Sequence, residues 1–164
     1  MGHRVLAGVV TAVVGLSAAW GCAQVSLTQR KPGAKLVTFP GKVAEEYKCS
    51  ERQLPFFEVE VSELSPHTIR PGSKIQHRFI YVMCPSRISG VIPGTLTTRI
   101  HHRGKPIYTN MTRHELQPGR WAVDATITLP KAAASGIYTL EARFKSRSGG
   151  FNAQADFLIE GRAR

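Results

Sequence analysis

A chain of 164 residues with 42% hydrophobic and 20% charged residues has room for one packed core and too much apolar content for a wholly disordered chain. Its 22 Lys and Arg against 11 Asp and Glu give a formal charge of +11, a field that attracts anionic lipid, acidic polysaccharide or nucleic acid without specifying a fold. The basic residues are spread along the chain with no arginine-rich block and no zinc-ligand spacing, which argues against specific nucleic-acid binding.

His3 and Arg4 precede a charge-free run from Val5 to Trp20, and the small residues Gly21, Cys22 and Ala23 follow at once. This is the layout of a cleavable export signal over residues 1–21. The run falls short of the about 20 apolar residues of a permanent membrane helix. Removing the segment takes away only Arg4 and leaves the mature chain strongly basic. Ala19, Trp20, Gly21 and Cys22 resemble the bacterial lipobox, and the resemblance implies a diacylglycerol on Cys22 that holds the protein to a membrane. Ala19 and Trp20 depart from that pattern, which has a larger aliphatic residue and then a small one, so cleavage near Ala23 without lipid is the alternative. With no aspartate at Ala23 or Gln24, the resemblance further implies sorting to the outer membrane in a Gram-negative envelope. A bacterial route leaves no role for the glycosylation sequon Asn110, Met111, Thr112.

Setting Cys22 aside leaves Cys49 and Cys84, an even pair suited to a disulfide in an exported chain. Two free thiols are the reading for a chain kept in the cytosol. In the chain-entropy view the bridge would stabilise the fold by about 4 kcal/mol.

Residues 22–53 mix Lys, Pro and Gly with short apolar pieces and sustain no period, so they read as a tether with little regular structure. A helical turn over 43–48 is too short to stand alone. From residue 54 to 161 the pattern becomes short alternating segments punctuated by turn residues, which predicts an all-β sandwich of about seven strands. Phe57, Val59 and Val61 alternate with Glu58, Glu60 and Ser62 in the first. The second covers 74–84, where 79–83 is continuously apolar, as in a strand covered on both faces. Segments 95–102 and 106–111 flank Arg103, Gly104 and Lys105 and predict a hairpin. Trp121, Val123, Ala125, Ile127 and Leu129 give the clearest alternation. Tyr138 to Lys145 and Ala153 to Ile159 complete the set around a turn at Ser148, Gly149 and Gly150.

Leu129 and Pro130, followed by the run from Gly136 to Leu140 and by Phe157 to Glu160, resemble the closing strands of immunoglobulin-like and macroglobulin-like sandwiches. The resemblance spans about residues 56–160 and implies a single immunoglobulin-like domain. The Cys49–Cys84 pairing departs from the inter-sheet bridge of antibody domains, because Cys49 precedes the first predicted strand.

No catalytic constellation stands out. His101 and His102 are neighbours on a strand and point to opposite faces, so that strand alone cannot offer both to one metal. His77 and His114 are far apart in sequence, no serine sits in a glycine-flanked nucleophile turn, and Glu58 with Glu60 reads as a pair of solvated carboxylates. Thr97, Arg99, His101 and Arg103 share one strand face with Lys105 beginning the return strand. Arg99, His101, Arg103 and Lys105 are therefore the candidate anion-binding patch, against the simpler reading of a solvated outer face. The expectation is a non-catalytic, cofactor-free envelope module, anchored to a membrane by lipid, that binds a protein or an anionic envelope polymer. The alternatives are a structural subunit of an envelope assembly and a metal-dependent envelope enzyme.

Overall fold

The computed structural model describes residues 32–87 and 90–161. The predicted export signal and Cys22 lie outside these residues. The seven expected strands are present as β2 (Phe56–Ser65), β4 (Lys74–Cys84), β5 (Ile92–His102), β6 (Lys105–Leu116), β7 (Gly119–Thr128), β8 (Gly136–Ser146) and β9 (Gly149–Ile159), joined by β1 (Gly33–Thr38) and β3 (Thr68–Ile69). Among the described residues nine strands rather than seven form two sheets, one ordered β1-β7-β4-β2 and the other β3-β9-β8-β5-β6. All pairings but one are antiparallel. The exception is β3, whose two residues run parallel to the end of β9.

Alternation builds the core between the sheets. Ile75, Phe79, Tyr81 and Met83 of β4 point inward to meet Ile100 of β5, Leu140 and Phe144 of β8, and Phe157 and Ile159 of β9, all nearly inaccessible. Polar tips of the large rings find partners: the Tyr81 hydroxyl accepts from the Gln117 amide at 2.9 Å, and the Tyr138 hydroxyl donates to the Ala134 carbonyl at 2.8 Å. In the β5–β6 hairpin, Arg103 and Gly104 both take positive φ (51° and 76°), the geometry that a two-residue turn requires if the strands are to keep their right-handed twist.

The stretch 22–53, expected as a tether, is regular from residue 33 onward and belongs to the sandwich. β1 pairs with β7, helix α1 (Pro40–Glu46) follows, and a 3-10 turn at Cys49–Glu51 leads into β2. The apolar run at the end of β4 is explained by this segment. Val43 of α1 and Val82 on the outer side of β4 are both fully buried, so α1 covers the second face of that strand.

Two devices hold the segment. Cys49 and Cys84 form a disulfide, with 5.7 Å between their Cα atoms. Arg120 of β7 donates to both Glu60 of β2 and Glu46 of α1 at 2.7 Å, and also to the Thr38 hydroxyl at 3.3 Å. Hydrogen bonding from Arg120 holds the Glu60 carboxyl below its ordinary pKa. Tyr47 has two guanidinium groups over its ring, with the Arg52 carbon 5.8 Å and the Arg120 carbon 5.9 Å from the ring centre.

A candidate anion-binding face

The outer face of the five-stranded sheet carries the predicted patch, and the strand register shows which of its residues meet. On β5, Thr95, Thr97, Arg99 and His101 point away from the core. Arg99 lies opposite Glu141 of β8 and Thr109 of β6. The His101 Nε2 is 3.2 Å and the Arg99 Nη1 3.6 Å from the same Glu141 Oε2. Glu141 is 8% exposed, so its carboxylate already occupies the place between Arg99 and His101 that an external anion would take.

Arg103 and Lys105 are not part of that cluster. Arg103 belongs to the turn, and Lys105 lies opposite His102, whose side chain leaves the other face of β5 from His101. A register shift between Ile100 and His101 separates the hairpin end from the rest of β6. His102 instead stacks on Tyr138 with 4.2 Å between ring centres.

Two rows further along the same face, the register assembles a second basic group. Lys145 and Arg113 flank Thr95 from β8 and β6, and Arg143 lies between Thr97 and Asn152. Two strand spacings separate Lys145 from Arg113, about 10 Å, and Arg143 precedes Lys145 on the same side of β8. None of Arg113, Arg143 and Lys145 makes an ion pair among the described residues. Glu115, next along the outer side of β6, and the engaged Glu141 are the carboxylates bordering this group. Arg143, Lys145 and Asn152 also line a cleft of about 570 Å³ beside the β8–β9 turn. Alternation along β8 puts Arg143 and Lys145 on the outside of their strand, opposite the buried Tyr138, Leu140 and Phe144. What the sequence does not display is the β6-β5-β8-β9 order that puts them beside Arg113.

His77 and His114 pack in the core, whereas His67 is exposed. His77 is buried, with its Nε2 3.1 Å from the Ser62 hydroxyl, and desolvation pushes its pKa down to about 4. His114 packs edge-on to Phe79 and Phe144, its Nε2 has no hydrogen-bond partner among the described residues, and burial lowers its pKa. Among the described residues no three His, Cys, Asp or Glu side chains are grouped to hold a metal ion. A second cleft, of about 400 Å³, lies against the disulfide between Pro40, Met83 and Arg87.

No family model and no curated protein matches the chain. Among solved structures it is similar to the sporulation control protein Spo0M of Bacillus subtilis, with 14% identity and a TM-score of 0.49 over 65% of this chain and 50% of that one. A β-glucosidase from Erythrobacter marinus gives 10% identity and a TM-score of 0.48 over 65% of this chain and 16% of that one. A family 123 glycoside hydrolase from Clostridium perfringens gives 10% identity and a TM-score of 0.46 over 79% of this chain and 27% of that one. The chain thus spans half or less of the length of each. At this identity the likeness concerns architecture alone, and the class defined by the strands is an all-β sandwich.

Proposed function

We propose that the protein is an exported, non-catalytic binding module of the bacterial envelope, an immunoglobulin-like sandwich held to a membrane by lipid on Cys22, that engages anionic groups of its partner on the outer face of the five-stranded sheet. The observation that carries this reading is the group Arg113, Arg143 and Lys145, three cations brought together by register and, among the described residues, left without carboxylate partners. Arginine forks and a lysine at this spacing suit successive carboxylate, sulfate or phosphate groups. The disulfide supports an oxidising compartment.

The test is retention of the mature protein on immobilised dextran sulfate and on poly-glutamate as salt is raised. Exchanging Arg143 and Lys145 for glutamate is expected to weaken binding at least tenfold at about 0.15 M salt. The same exchange at Lys35 and Lys42, which lie on β1 and α1, keeps total charge equal and should cost far less. Equal losses from the two double variants would reduce the effect to net charge and overturn the site.

A further inference from the structure

Among the described residues strand β6 has no neighbour on its outer side and is an open edge. Every residue from Lys105 to Arg113 is exposed, including Tyr108, Asn110 and Thr112 on the inner side, so the opposite sheet does not reach over this part of the strand. Ile107, Tyr108 and Met111 are 51%, 42% and 65% exposed. A long, uncovered edge presents a row of unpaired N–H and C=O groups and is a template for another strand. The hairpin end is guarded, because Pro106 lacks an N–H and the register shift at Ile100 and His101 breaks the ladder. From Tyr108 to Arg113 there is no proline and no shift, and Arg113 is the one charge.

The charges around this edge select the occupant. Arg103, Lys105 and Arg113 stand along or beside it, with Glu115 as the single carboxylate of the strand. A second copy of β6 would bring the same net positive charge to the same edge; antiparallel pairing centred on Thr109 sets Lys105 against Arg113, and a register centred on Asn110 that sets Lys105 against Glu115 still leaves Arg103 and Arg113 of both copies uncompensated. An acidic strand meets opposite charge instead.

Resting on the anion-binding reading above, we infer that β6 accepts an extended, acidic segment of a partner protein as an added strand. Its main chain pairs with residues 108–113, and its outward carboxylates face Arg113. Main-chain pairing supplies affinity and the basic flank supplies selection for acidic sequence.

The experiment compares three probes on the mature, oxidised protein: a ten-residue peptide alternating Thr and Glu, the same peptide N-methylated at alternate residues so that one edge cannot pair, and dextran sulfate. Affinity is read by fluorescence anisotropy and edge occupancy by hydrogen exchange. Added-strand binding predicts at least tenfold slower exchange over 108–113 with the first peptide, at least tenfold weaker binding of the methylated one, and a several-fold loss on Arg113→Glu. Equal binding of the two peptides, or binding without slowed exchange in β6, overturns the inference. A dimer in light scattering with β6 already protected in the free protein does so too. If dextran sulfate binds and the Thr-Glu peptide does not, the anion-binding reading stands and the added strand falls. If neither binds at low salt, both fall.

Discussion

Acidification from pH 7.5 to 5.0 should weaken the fold by about 2 kcal/mol through His77 alone. Its ring is buried beside Phe79, 5.9 Å between centres, with the Ser62 hydroxyl at 3.1 Å. Burial holds its pKa at about 4 against 6.5 for the free side chain, with the Asp124 charge pulling weakly the other way. The folded value lies below the unfolded one, so as pH falls the unfolded chain takes up the proton first. The effect is nil above about pH 6.5, grows through the interval between the two values, and is complete below about pH 4. At about 1.4 kcal/mol per tenfold step in proton concentration the whole interval is worth about 3 kcal/mol, of which about 2 is spent by pH 5. His114 titrates in the same sense, since burial lowers its pKa as well. Glu60, with a lowered pKa, costs stability only as pH falls below the ordinary carboxylate value of 4.5. Urea unfolding of the oxidised protein at the two pH values measures the difference. In His77→Gln, where an amide can still meet Ser62, the loss should shrink by at least 1 kcal/mol, and His114→Gln separates the second histidine. Equal losses in wild type and His77→Gln would refute the assignment.

Gly94→Ala places a Cβ 2.4 Å from the Phe144 ring and 2.6 Å from the Lys145 carbonyl, an overpacking that should cost about 1–3 kcal/mol and lower the calorimetric Tm. Reduction of the Cys49–Cys84 bridge, which closes a sequence separation of 35, should remove about 4 kcal/mol and release the segment 40–51 to rapid hydrogen exchange before the rest of the sandwich opens. Arg120→Met strips Glu46 and Glu60 of their shared partner, and limited proteolysis should then cut within 40–52 first while β8 and β9 stay protected. Intact mass of the protein from its native membrane should show a diacylglyceryl Cys22 terminus and two thiols that appear only on reduction. A retained Met1 would remove the export reading.

Strands that alternate with one face in the core were legible because burial writes a period of two: Trp121 to Leu129 and Tyr138 to Lys145 needed nothing but that pattern. β1 left no such mark. It is an edge strand with Leu36 and Thr38 half-buried and the rest exposed, and its place depends on pairing with β7, a partner 82 or more positions away. β3 is two residues long, too short for any period. The double cover of β4 was visible in its apolar run, but its cause, α1, lay in a stretch whose composition reads as loop. The same division holds for the site. Sequence shows which side of its own strand a cation occupies, whereas the Glu141 that occupies the space between Arg99 and His101, and the Arg113 that joins Arg143 and Lys145, are set by strand order.

The two sheets divide the labour along the chain direction. β1, the first described strand, lies in the four-stranded sheet, and α1, the disulfide and the Arg120 cluster are all built on the outer side of that sheet. Under the proposed anchoring at Cys22, the chain would enter on the sheet opposite the basic face, where residues 33–51 are clamped by covalent and ionic links. The proposed ligand surface, Arg113, Arg143 and Lys145 with the open edge of β6, belongs to the other sheet. An added strand would extend that sheet outward from β6, away from the clamp, so binding requires no rearrangement of the elements that hold the entry segment. The pH sensitivity argued for His77 acts on the core between the two sheets, and acid should therefore loosen the anchor side and the binding side together instead of switching either one alone.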